Sequence, residues 1–378
     1  MRTSLASRFG KVTAVASASL LALTACGDGV VEGGGVDETF EFTLANGALE
    51  GTQHHVVAEE YMDAVEEASD GAITFERTTF EALCNMNEVA DCVRDGRADI
   101  GVTVTDYTPH LLPTLSVMSI TFLNNDIQAA VQSLYEIHED YEPAREQLAS
   151  ANLEYISTWP VGALLIGSEE PVESIDDVEG LSARAAGPVT QRSLEAAGVN
   201  VNAITAAETY ESLQRGVIDS VASSLDFAVN YQITEQLPYW ADPGLGQYTA
   251  YGMWWNADSY ESLTPELQEV VDDVTREFNE GRTIEIANRE LEGICQAMLD
   301  SPDVESFDRW DEAETEEWRE LAAEGAQDEW LSIMDDYNFD NAEAFLEEYV
   351  STYERLESPD NPEDAGLACA DHWQEQNS

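Results

Sequence analysis

Arg184, in Leu181-Ser182-Ala183-Arg184-Ala185-Ala186-Gly187, is the residue with the clearest chemical use. The chain carries 76 Asp+Glu against 16 Lys+Arg, and its single lysine is Lys11. So few cations leave few ways to hold an anion. An arginine presents a planar fork of donors that matches a carboxylate with two parallel hydrogen bonds. Catalytic patterns are missing from the sequence: it has no glycine-rich phosphate loop, no serine-nucleophile motif and no zinc-hydrolase helix. Asp336, Asn338, Asp340 and Glu347 mimic a calcium loop, but Asn341 replaces its turn glycine and Glu343 stands where an apolar residue is wanted. His54 and His55 are adjacent, and neighbours on a regular element diverge. Metal binding and cofactors are not expected.

The elements that would position Arg184 follow from periodicity. Phe40 to Ala45 alternates like a strand, and Val56 to Ala68 has the spacing of an amphipathic helix. Ile73 to Arg77 reads as a second strand. A helix over Asn87 to Asp95 should stop at Gly96, and Ile100 to Val104 reads as a third strand. This β-α-β-α-β order predicts a mostly parallel sheet covered by helices. A related unit recurs later. Thr205 and Glu208 have capping-box spacing, the helix through Leu213 should end at Gly216, and Val217 to Val221 reads as a strand. Arg94-Asp95-Gly96-Arg97-Ala98-Asp99-Ile100 and Gln214-Arg215-Gly216-Val217-Ile218-Asp219-Ser220 share one plan: helix, glycine, two residues, aspartate, strand. The repeat predicts two similar α/β lobes facing a cleft. Thr264-Pro265-Glu266 should start a long helix running towards Cys295. Further helices are expected over Glu314 to Ala323 and Ala342 to Arg355, with an irregular tail after Pro359.

Residues 1–25 combine Arg2, Arg8 and Lys11 with an uncharged run from Val12 to Ala25, the plan of a secretory signal. Leu23-Thr24-Ala25-Cys26 matches a bacterial lipobox, so Cys26 is expected to carry a lipid anchor, and the glycine-rich residues 26–37 a flexible tether. The body would then be extracytoplasmic, held to the membrane by lipid. An exported chain favours disulfides, with Cys84–Cys92 closing a short loop and Cys295–Cys369 tying the tail to a long helix. The formal charge of −60 makes nucleic acid and anionic lipid poor partners. Lysine depletion with abundant acids fits a salty medium, where screening relieves self-repulsion. At 43% hydrophobic residues, the chain can still build a packed core.

Gly180-Leu181-Ser182-Ala183-Arg184, followed by Glu208-Thr209-Tyr210-Glu211-Ser212-Leu213-Gln214-Arg215-Gly216-Val217-Ile218-Asp219, resembles the signature of the DctP-like solute-binding proteins of TRAP transporters. Gly71 to Glu76 and Asp95 to Ile100 extend the resemblance into the N-terminal half. It implies an α/β fold of two lobes closing over a small organic acid, with long C-terminal helices, and a protein that performs no catalysis. Lobe I would comprise 38–157 plus about 246–290. Lobe II and the C-terminal helices would comprise 158–245 plus about 291–378. The resemblance implies that Arg184 pairs with the ligand carboxylate and that TRAP membrane subunits are the partners. By position it adds His54, Thr105, Trp159, Ser223, Ser224 and Asp226 as ligand-binding candidates. The strand over Ala163 to Ile166 lacks the second arginine of sialic-acid-binding members, Ala206-Ala207 replaces a common aromatic, and Ser220 replaces a glycine. These departures point away from sialic acid and leave monocarboxylates, dicarboxylates, keto acids and zwitterions. Rival roles are a receptor for an ATP-driven importer or a sensor protein, and a secreted hydrolase.

Overall fold

The computed structural model describes residues 38–377; the expected signal, Cys26 and the tether lie outside the described residues. The strands in chain order are β1 (Phe40–Asn46), β2 (Ile73–Arg77), β3 (Ile100–Val104), β4 (Leu153–Pro160), β5 (Leu165–Ser168), β6 (Ser182–Ala185), β7 (Asn200–Ala203), β8 (Ser220–Ser223), β9 (Tyr239–Asp242), β10 (Ala250–Asn256) and β11 (Ser306–Arg309). They form two sheets, β2-β1-β3-β10-β4 and β11-β9-β5-β8-β6-β7, one for each lobe. Each sheet has the expected parallel set: β1 with β2 and β3, and β6 with β7 and β8. Each is nevertheless mixed. β10 runs antiparallel to β3 and β4, and β5 antiparallel to β8 and β9. The chain passes between the sheets at 161–164, at 243–249 and along the helices Pro265–Glu277 and Thr283–Leu299. A π-type turn, Phe278–Arg282, joins those two helices.

The sequence repeat has a physical cause. Gly96 (φ 69°) and Gly216 (φ 66°) end their helices in the left-handed region, which costs glycine little. The aspartate three residues later then locks onto the neighbouring parallel strand. Thr43 N–H donates to Asp99 Oδ2 and Ser182 N–H to Asp219 Oδ1, both at 2.8 Å. The same backbone partners return the bond, Asp99 N–H to the Thr43 carbonyl and Asp219 N–H to that of Ser182. In the second lobe this fixes the start of β6, two residues before Arg184. Thr205 and Glu208 make the expected capping box ahead of the helix Ala206–Gln214. The following strand is β8, starting at Ser220 instead of Val217, because Val217 lies in the turn and is 53% exposed.

The C-terminal region departs further from expectation. The helix expected over 314–323 runs from Glu312 to Asp336. Trp318, Ala322, Ala326, Trp330 and Met334 recur every four residues and are buried, so one stripe continues past Gly325. The tail expected to be irregular forms the helix Leu367–Asn377. So short a helix gains little from propensity and depends on tertiary contacts. Arg309 supplies some of them, holding Asp371 at 2.8 Å and the Leu367 carbonyl. Both expected disulfides are present, Cys84–Cys92 and Cys295–Cys369. Among the described residues no cluster of His, Cys, Asp or Glu could hold a metal ion, and no helix is long and apolar enough to cross a membrane.

The disulfides close chain separations of 8 and 74 residues. Loop-closure entropy then predicts losses of about 2.5 kcal/mol for a Cys84→Ser/Cys92→Ser pair and about 4.4 kcal/mol for Cys295→Ser/Cys369→Ser. Denaturant unfolding of the two double variants checks the order; equal losses would show that the tail staple does not restrain the unfolded chain.

Candidate ligand-binding site

Arg184 sits within β6, which the Asp219 lock and its parallel pairing to β7 and β8 hold in register. Its side chain turns inward and is buried, 2% exposed. Nε donates to the Ile204 carbonyl at 3.0 Å, Nη1 to Ser223 Oγ at 3.2 Å and Nη2 to Tyr107 Oη at 2.9 Å. The guanidinium also lies over the Phe227 ring, 4.8 Å from its centroid. All these partners are neutral. Among the described residues no carboxylate forms an ion pair with Arg184, in a chain where acids outnumber bases more than fourfold.

The surrounding hydroxyls are oriented by the same contacts. Tyr107 Oη accepts from Arg184 and from Ala206 N–H at 3.0 Å, so its own hydrogen is free to donate elsewhere. Tyr107 follows β3, whereas Arg184 and Ala206 belong to the second lobe's elements, so this contact bridges the two sheets. Ser223 Oγ accepts from Arg184 and shares a hydrogen bond with Tyr248 Oη at 2.7 Å, in which either hydroxyl can donate. Burial pushes Tyr248 above its ordinary pKa and Tyr251 well above it, so both stay neutral donors. Tyr231 Oη is buried beside Tyr251, within electrostatic reach of Tyr107, Asp226 and Arg184.

A second polar cluster adjoins this one. His54 lies in the first turn of the helix Gln53–Ala68, which begins earlier than expected because Thr52 caps His55 N–H. Trp159 Nε1 donates to His54 Nδ1 at 3.0 Å. Indole nitrogen can only donate, so Nδ1 accepts and the imidazole hydrogen sits on Nε2. Nε2 faces Asp226 Oδ2 at 3.4 Å, and Ser224 Oγ donates to Asp226 Oδ1 at 2.5 Å. Gln53 Nε2 lies 3.1 Å from His54 Nε2 and donates to the Val161 carbonyl. Burial opposes ionisation of Asp226, while the hydrogens that His54, Ser224 and Gln53 direct at it favour the carboxylate form. Tyr251 stacks on His54, ring centroids 4.0 Å apart.

Six of the seven candidates therefore converge. Arg184 and Ser223 form one pole; His54, Trp159, Ser224 and Asp226 form the other. Thr105 stands apart, its hydroxyl spent on the Ala250 carbonyl at 3.3 Å, where it ties the end of β3 to β10. Sequence reasoning missed Tyr107, Tyr231, Tyr248, Tyr251, Phe227, Gln53 and Asp106. The available signal was position: Asp106 and Tyr107 directly follow Thr105, and Tyr248 and Tyr251 flank a passage between lobes.

A cleft of about 310 Å³ opens beside the cluster, lined by Asn87, Asp106 and Tyr107 on one side and Ala185–Pro188, Gln191 and Ala203–Thr205 on the other. Asp106 Oδ2 accepts from Ser119 and from Thr249 at 2.6 Å, while Oδ1 is buried without a partner. Gly187, three residues beyond Arg184, packs on it with φ 89°; an added Cβ would stand 2.6 Å from Asp106 Cβ. A glycine is required there for the two lobes to meet this closely.

The family profile described as bacterial extracellular solute-binding protein, family 7 (DctP) matches residues 44–330. The chain belongs to this family, a family of extracytoplasmic solute receptors and not of enzymes. The ectoine-binding periplasmic protein TeaA of Halomonas elongata is 24% identical over 231 residues, 61% of this chain and 67% of TeaA. Among solved structures, a marine metagenome TRAP solute-binding protein specific for aromatic acids, in complex with 3-hydroxybenzoate, aligns with TM-score 0.73 at 18% identity, over 85% of this chain and 100% of that one. A TRAP periplasmic solute-binding protein from Desulfovibrio salexigens with bound orotic acid aligns with TM-score 0.70 at 21% identity, over 84% of this chain and 99% of that one. The likeness to solved structures establishes the two-lobed fold.

Burial pushes the Asp106 carboxyl up to about 6, against the opposing bonds from Ser119 and Thr249. A carboxyl raised on folding favours the folded state below its unfolded pKa, and that contribution is lost as pH rises through about 6. The wild-type protein should therefore lose up to about 3 kcal/mol relative to Asp106→Asn between pH 4 and pH 7. Thermal unfolding of both proteins across that range tests this; parallel curves would contradict it.

Proposed function

We propose that this chain is the solute receptor of a TRAP-type secondary transporter and that Arg184 grips the carboxylate of a small organic acid. The single observation that carries this reading is a buried guanidinium surrounded only by neutral acceptors. Burying an unpaired charge costs several kcal/mol, and an incoming anion offsets that cost where no side chain does. The arrangement suits a carboxylate. One Nη2 hydrogen of Arg184 is left over from the Tyr107 bond, and Tyr107 has a hydroxyl hydrogen to give. The ligand would enter between the sheets and draw Tyr107 and Arg184 onto itself as the lobes close by hinge motion. The closed receptor then docks on TRAP membrane subunits, which take the ligand onward. Cys26 would hold the receptor at the outer face of the membrane by a lipid anchor. In support, the ligands named for the similar solved proteins, 3-hydroxybenzoate and orotic acid, are carboxylic acids.

Arg184→Ala should weaken binding of the cognate acid by about 2–5 kcal/mol while the protein still folds. Arg184→Lys should recover little, because an ammonium lacks the fork. A thermal-shift screen over organic acids in high salt identifies the acid, and titration calorimetry of the variants measures the loss. Unchanged affinity in Arg184→Ala removes the site assignment.

A further inference from the structure

Resting on the reading of Arg184 above, we propose that the ligand is a zwitterion whose cationic nitrogen is held by Asp226. Charge accounting within the buried cluster leads there. Arg184 contributes one positive charge. Asp226 contributes one negative charge, since Oδ1 accepts from Ser224 and Oδ2 faces the hydrogen on His54 Nε2. His54 contributes none, because the Trp159 indole donates to Nδ1, and an imidazolium would need a hydrogen on that same atom. The two charges do not pair with each other: among the described residues Arg184 bonds only to neutral groups, and Asp226 faces His54 and Ser224.

Each candidate ligand class leaves a different balance. A monocarboxylate satisfies Arg184 and leaves Asp226 as an unbalanced buried anion. A dicarboxylate adds a second negative charge near it. A zwitterion matches both poles and leaves the closed site neutral. Removing the partner of a buried charge is far costlier than burying a complete pair. The walls also suit a cation. Phe227, Tyr231 and Tyr251 bring ring faces and edges into the cluster, and aromatic faces attract desolvated cationic nitrogens. Tyr231 Oη, buried beside Tyr251 and in reach of both Asp226 and Arg184, lies where a bridging molecule would meet it. Long-range charge adds to the argument: a body with formal charge −60 repels anions as they approach, whereas a zwitterion carries no net charge to be repelled.

The test uses isosteric pairs that differ in the cationic pole: glycine betaine against 3,3-dimethylbutanoate, proline against cyclopentanecarboxylate, and pipecolate against cyclohexanecarboxylate. Each is titrated by calorimetry into the wild-type protein, Asp226→Asn and Arg184→Ala. At least one zwitterion should bind the wild type about tenfold or more tightly than its isostere, and Asp226→Asn should erase that preference while the isostere's affinity is held or improved. An isostere that binds as tightly as its zwitterion, a preference that survives in Asp226→Asn, or a panel in which no zwitterion binds would each overturn the proposal. The wild-type comparison needs no variant to fold. Failure of the underlying reading shows separately, as undiminished binding of both pair members to Arg184→Ala.

Discussion

An arginine buried without a carboxylate beside it is expensive to fold, and the rest of the structure is arranged around tolerating that expense. Water cannot solvate Arg184, and in so acidic a chain the simplest remedy would be an Asp or Glu at hydrogen-bonding distance. The fold offers instead two carbonyls, a serine and a tyrosine. Neutral acceptors orient the guanidinium without cancelling its charge, which is what the proposed grip on an anion requires. Rigidity is part of the same solution. Asp219 locks the start of β6 to the turn before β8, and β7 and β8 flank it, so the backbone that carries the guanidinium is held in register.

On the proposed reading, the same residues would couple recognition to shape. The contact of Arg184 with Tyr107 joins elements of the two sheets, and the Asp106–Gly187 contact joins them again three residues further along. A ligand that takes hydrogen bonds from both Arg184 and Tyr107 therefore gains most when the lobes are together. That is the differential affinity a ligand needs to shift a hinge equilibrium. The second cluster draws on both sides as well: Trp159 lies on β4 of the first sheet and His54 on the helix after β1, and Asp226 follows β8 of the second.

Much of this was legible in the sequence, for reasons that are local. Arg184 stood out because cations are scarce and because its flanking motif has fixed spacing. The Gly-x-x-Asp repeat revealed two related lobes, since each glycine ends a helix and each aspartate pins the next strand within a few residues. What escaped was set by distant partners. Tyr107, Tyr231, Tyr248 and Tyr251 are four of 14 tyrosines with no spacing to mark them, and what sets them apart is their place around Arg184 and Asp226 in the fold. The Trp159–His54 bond spans 105 residues, so nothing near His54 announces its tautomer. Thr105 illustrates the converse: it sits at the expected edge, yet its hydroxyl is satisfied by the neighbouring strand. The tail helix Leu367–Asn377 also escaped, because Arg309 and the Cys295–Cys369 bond hold it, not its own residues.

A crystal structure of the protein with the molecule it retains through purification in high salt would examine the central claim most directly. The account predicts carboxylate oxygens about 3 Å from Arg184 Nη atoms, with the Tyr107 hydroxyl donating to the same group. A bound molecule that leaves the guanidinium with only its present neutral partners would contradict it.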